Sequence, residues 1–83
     1  MYEVVLEKRA EKEFLSLDKE AQKIVAKKLL ELKNGIFFND KPLKGKYKGK
    51  FRKRAGDYRI VYVKEDSLIT IVVVRIAHRK EVY

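Results

Sequence analysis

Three observations predict an α+β fold, with a helical hairpin packed on one face of a small, mainly antiparallel twisted sheet. Apolar residues alternate near the start and in the last third of the chain, which is the period of a half-buried strand. Between residues 8 and 33 they recur instead at helical spacing. Turn-forming residues stand at the joints, namely Asp18, Asn34-Gly35 and Gly56-Asp57. Finally, 83 residues without cysteine accommodate one small domain, 1–83, with neither disulfides nor a Cys-based zinc site to brace it. The predicted element order is β-α-α-β-β-β.

The first strand covers residues 2–7, with Tyr2, Val4 and Leu6 on one side and Glu3 and Glu7 on the other; Val5 breaks the alternation. From Lys8 the spacing becomes helical, with Ala10, Phe14 and Leu17 as the apolar side. Asp18 suits an N-cap, because its short carboxylate accepts from the free amides of a first turn. Ala21, Ile24, Val25, Leu29 and Leu32 form the inward stripe of the second helix, leaving Lys19, Glu20, Lys23, Lys27 and Glu31 outside. Asn34-Gly35 supplies a left-handed stop. Residues 36–49, with the only proline (Pro42) and two glycines, read as a loop that tucks Phe37, Phe38 or both beneath the helices. Strands at 51–55, 58–64 and 68–77 follow, joined at Gly56-Asp57 and Glu65-Asp66-Ser67. Residues 69–74 are apolar on both parities, as in a central strand covered on both faces.

Charge is distributed unevenly. Residues 1–35 carry eight Lys or Arg and seven acids, whereas residues 41–59 carry nine Lys or Arg and one acid, Asp57. Nearly all of the net +9 therefore lies in one stretch, and such a field attracts polyanions. The longest apolar run, 68–74, is interrupted by Thr70 and too short to cross a bilayer. Met1-Tyr2-Glu3-Val4 lacks the basic start and apolar stretch of a signal peptide. A cytoplasmic protein without membrane association is expected. With one histidine and no cysteine, neither a metal nor another cofactor is expected.

If Gly56-Asp57 is a two-residue turn, Ala55 faces Tyr58, Arg54 faces Arg59, Lys53 faces Ile60 and Arg52 faces Val61. One sheet face then receives Phe51, Tyr58, Ile60 and Tyr62, and the other receives Arg52, Arg54 and Arg59. Lys53 falls on the apolar side and is expected to snorkel at its edge. Arginine opposite arginine works against folding, which makes sense where an anion fills the gap, since each guanidinium is a planar fork of donors. Lys44, Lys46, Lys48 and Lys50 enlarge this surface from the preceding segment. If the last strand continues to Arg79, then Arg75, Ala77 and Arg79 share a face. His78 and Tyr83 then arrive at the same end of the sheet.

The segments Leu43-Lys44-Gly45, 51–62 and 74–83 resemble the RelE/ParE toxin superfamily, whose most characteristic pattern here is R-x-G-D-Y-R-I-V-Y followed by H-R-x-x-V-Y. The resemblance implies a RelE-like fold and the toxin half of a toxin–antitoxin pair, with an acidic, RelB-like antitoxin as partner. RelE-like members enter the ribosomal A site, against rRNA, and cut mRNA there as metal-independent endoribonucleases. ParE-like members, the alternative, inhibit DNA gyrase without nuclease activity. By position, Lys50 and Arg52 resemble the paired basic residues before the hairpin. Arg59 resembles the phosphate-holding arginine, Arg79 the C-terminal arginine, and Tyr83 the tyrosine that stacks on a base. His78 shares or replaces the role given to Arg79, and Lys44, Lys46, Lys48 and Arg54 extend the RNA-binding surface. Two departures stand out. Arg52 occupies a position where the best-known RelE has lysine, and arginine is a poor base. Any helix that the family places after the tyrosine is missing from this sequence.

Overall fold

The computed structural model describes residues 1–81; Val82 and Tyr83 lie outside the described residues. The chain runs β1 (Glu3–Leu6), α1 (Lys8–Leu15), α2 (Lys19–Lys33), β2 (Lys41–Pro42), β3 (Phe51–Ala55), β4 (Tyr58–Glu65) and β5 (Thr70–His78). One five-stranded sheet has the order β1-β5-β4-β3-β2, parallel between β1 and β5 and antiparallel elsewhere. Among the described residues no helix is long and apolar enough to cross a membrane.

Local signals act where the sequence puts them. Asp18 caps α2, its Oδ1 accepting from the Ala21 amide at 2.8 Å. Gly35, at φ +73°, ends that helix in the left-handed region that only glycine enters without strain. Ala10, Val25 and Leu32 are sealed against Ile60, Tyr62, Ile71, Val73 and Ile76, forming the core between helices and sheet. Each large aliphatic side chain buried there is worth roughly 1.5–3 kcal/mol.

Three expectations are corrected, and a fourth, on the two phenylalanines, is borne out by one ring. The segment 36–49 is not all loop. Lys41–Pro42 pairs with Phe51 and Arg52 as a fifth, edge strand, a place where proline's missing N–H costs nothing, and Gly45–Tyr47 forms a 3₁₀ turn. Of the two phenylalanines only Phe37 tucks in, edge-on to Tyr2 and stacked on Tyr62. The last strand begins at Thr70, because Asp66–Leu68 forms a 3₁₀ turn ending in left-handed Ile69. Although β5 is an interior strand, the helices cover only one of its faces.

A bulge shapes the end of β5. Val61 pairs with Arg75 and Tyr62 with Val73, which leaves Val74 without an opposite residue. This extra residue reverses the alternation. Ile71 and Val73 point to the helices before it, Ile76 after it, and Arg75 and Ala77 turn to the other face. Beyond the last β1–β5 pair, Leu6 with Val73, the free edge of β5 is capped from α1. Glu13 accepts from the Ile76 amide at 2.8 Å and from Arg75 Nε at 3.0 Å.

Candidate functional site

The hairpin β3–β4 has the register that a two-residue Gly56-Asp57 turn demands: Ala55 opposite Tyr58, Arg54 opposite Arg59, Lys53 opposite Ile60 and Arg52 opposite Val61. Gly56 takes φ +63°, so the tight turn needs a residue without a side chain. Alternation then delivers Arg52, Arg54 and Arg59 to the face that the helices leave open. Among the described residues no carboxylate pairs with Arg52 or Arg54. Arg54 turns its Nε toward the Gly56 carbonyl at 3.4 Å, and Arg59 Nε is shielded from solvent.

A small apolar cluster forms the floor of this face. Val61 and Ala77 are buried beneath Leu43, Tyr47 and Val74. Leu43 and Tyr47 therefore pin the 3₁₀ turn onto the open side of the sheet and carry exposed Lys44, Lys46 and Lys48 with it. Lys46 Nζ stands 5.4 Å from the Tyr47 ring centre. Lys50, half-buried, donates its amide to the Tyr47 carbonyl and accepts from Leu43 N, which ties the turn to the start of β3. Since Val61 pairs with both Arg52 and Arg75, and Ala77 with Arg59, Tyr47 sits among three arginines.

Three residues here were not anticipated as site members. Tyr47 is one, although an aromatic between lysines is a recognisable sign of nucleic-acid contact. Arg75 and its partner Glu13 are the others. The Glu13 carboxylate, 2.9 Å from Arg75 Nη2, holds the guanidinium above its usual range; burial opposes this and the Tyr47 phenol adds to it. Arg75 is thereby fixed as a wall of the site.

At the far end, Arg79 is exposed and donates its amide to the Asp57 carbonyl at 2.8 Å, beside the hairpin turn. His78 pairs with Tyr58, whose ring it meets edge-on at 5.5 Å, so its imidazole stands on the helix-side face, opposite to Arg59. Its Nδ1 accepts from the Lys80 amide at 3.2 Å. Tyr83 lies outside the described residues.

Lys53 does not snorkel. It is 2% exposed, and its Nζ reaches the Ile36 carbonyl at 3.0 Å, Glu31 Oε1 at 3.2 Å and Asp40 Oδ1 at 3.3 Å. Asp40 also accepts from the Tyr62 hydroxyl at 2.6 Å. An ammonium at this depth is stable only because oxygens enclose it. Burial works against the charge on Glu31, yet its bonds to Lys28 and Lys53 prevail and hold its carboxyl below the usual range.

The sequence model for the ParE toxin of type II toxin–antitoxin systems matches residues 4–83. Toxin RelG of Mycobacterium tuberculosis is 40% identical over 43 residues, 52% of this chain, and that match spans 49%, about half, of the relative's length. The fold superposes on the toxin–antitoxin complex RelBE2 of M. tuberculosis with a TM-score of 0.84 and 28% identity, covering 94% of this chain and 98% of that one. The isolated RelE toxin of E. coli gives a TM-score of 0.79 at 22% identity, with 94% and 84% covered.

Proposed function

The chain belongs to the ParE toxin family of type II toxin–antitoxin systems, within the RelE/ParE superfamily, and from that premise we propose that it is a ribosome-dependent endoribonuclease cutting mRNA in the A site. One observation carries this reading: Arg52, Arg54 and Arg59 share a rigid sheet face, two of them directly opposite each other. A fold tolerates such a pairing at a cost, and a phosphodiester repays it.

In the proposed reaction the 2′-oxygen attacks the adjacent phosphorus and the bond to the 5′-oxygen breaks, leaving a cyclic phosphate and a free 5′-hydroxyl. Arg59 and Arg52 hold the phosphate and take up charge as it becomes pentacoordinate, the contribution fixed cations make best. Lys50, at the head of β3, accepts the 2′-hydroxyl proton. Arg79, beside the turn, delivers a proton to the leaving oxygen; His78 faces the other way. Tyr83 stacks on and orients a base. Lys44, Lys46 and Lys48 line the approach. Without a stronger base of its own, this site depends on the ribosome to align the 2′-oxygen. Its partner in the resting cell is an acidic, RelB-like antitoxin that covers the basic face, and the site of action is cytoplasmic.

Primer extension on a defined mRNA, with and without translating ribosomes, tests this directly. Cuts confined to A-site positions and dependent on ribosomes are expected. Intact RNA in both reactions overturns the proposal and moves the target to DNA gyrase, which a supercoiling assay then examines.

A further inference from the structure

Past the two-residue β2, the outward edge of β3 has no strand beside it among the described residues. There α2, the 36–41 segment and β3 enclose a groove of about 690 Å³, lined among others by Lys28, Phe38, Lys41, Arg52 and Arg54. The acids in its wall, Glu31 and Asp40, are engaged by Lys28, Lys53 and Tyr62. No carboxylate among the described residues pairs with Lys41, Arg52 or Arg54.

Phe38 is 82% exposed, and it is held that way. The Asp40 amide donates to the Phe37 carbonyl at 3.1 Å, and Asn39 takes φ +66°, the pattern of a type II turn with Phe38 at its first corner. Both ends of the turn are anchored, Phe37 between Tyr2 and Tyr62, and Asp40 on Lys53 and Tyr62. A buried polar cluster thus presents a flat apolar ring to water, flanked by three cations.

We propose that this groove is a second nucleic-acid subsite, taking single-stranded RNA that leaves the open sheet face across the β2–β3 edge. Phe38 stacks on one unpaired base, and Lys41, Arg52 and Arg54 contact the phosphates. Arg52 belongs to both surfaces, which makes them one continuous path. The inference rests on the nucleic-acid reading of the open face. An acidic peptide strand would satisfy the cations, but an isolated, pre-oriented aromatic ring between arginines matches a base better.

The chain contains no tryptophan, so Phe38→Trp places a single tryptophan in the groove, excited selectively at wavelengths that the tyrosines do not absorb. Its emission is to be titrated with a short unstructured oligoadenylate, while a labelled copy reports total binding by anisotropy. Quenching that follows the binding curve and weakens with salt is expected, together with a roughly tenfold loss of affinity in Phe38→Ala. Phe38→Ala should leave the melting temperature unchanged, since the ring is exposed. RNA bound without quenching, at an affinity unchanged by Phe38→Ala, overturns the subsite and leaves the open-face reading intact. No RNA binding at all overturns both. Quenching by polyglutamate but not by RNA overturns the choice of ligand.

Discussion

On one face of β3 a single lysine is enclosed by four oxygens, from Ile36, Asp40 and Glu31; on the other, Arg52 and Arg54 meet Arg59 across the hairpin with no carboxylate pairing either of the first two among the described residues. These are adjacent residues of one strand, alike in charge. Lys53 holds the fold together, because its partners would be stranded in the interior without it. Arg52 and Arg54 are a cost to the fold that a polyanion relieves. The lesson concerns partners rather than charge: Lys53, which folds the chain, comes with acids, whereas Arg52 and Arg54, its neighbours in the strand, come without them among the described residues.

The contrast is broken most severely at Lys53. Lys53→Met leaves Asp40, whose side chain is 5% exposed, beside an apolar group and should cost about 3–5 kcal/mol, read from urea denaturation. A loss below about 1 kcal/mol would mean that the buried cluster contributes little. Arg59→Ala does the reverse. It should lower ribosome-dependent cleavage by about 10²–10³-fold, as removal of a charge-stabilising donor does elsewhere, while the thermal midpoint changes little. A still-toxic Arg59→Ala protein removes Arg59 from the site.

Glu13 stands between the two classes, since it both caps the fold and fixes a site arginine. Glu13→Gln keeps a carbonyl for the Ile76 amide but loses the charge facing Arg75. About 1–2 kcal/mol of stability should go, together with a measurable loss of RNA affinity as Arg75 becomes mobile. If stability falls and affinity does not, Arg75 is structural only.

Much of the open face was legible in the sequence because it depends on local rules. A two-residue turn at Gly56-Asp57 sets the register, and the register alone decides which arginines meet. The helix stop at Gly35 and the cap at Asp18 are equally local. What could not be read depends on contacts distant in sequence. Lys53 was visible as a misfit among apolar neighbours, yet its acids lie 13 and 22 residues back. Asp40, the only acid between Glu31 and Asp57, was the available clue. The bulge at Val74 leaves no mark in a run of valines, though it turns Arg75 and Ala77 onto the open face. The seating of Tyr47 on Val61 and Ala77 depends on how a 3₁₀ turn folds back, which periodicity does not report.

The smallest expected effect sharpens the contrast by its pH dependence. Burial, then the bond to Asp40 and its charge, push the Tyr62 phenol far above its ordinary value near 10. The folded state therefore keeps Tyr62 neutral where the unfolded chain ionises it. Its contribution is complete below about pH 10 and is lost as pH rises further, because the unfolded state gains by releasing the proton. Tyr62→Phe should cost about 1 kcal/mol at neutral pH, the usual worth of one hydrogen bond. It should also flatten the alkaline decline in stability relative to the parent chain, with the remaining tyrosines and lysines common to both. Equal alkaline slopes in the two proteins would place the Tyr62 hydroxyl outside the cluster. A flatter slope with unaltered RNA binding would assign Tyr62, like Lys53, wholly to the folding side of the sheet.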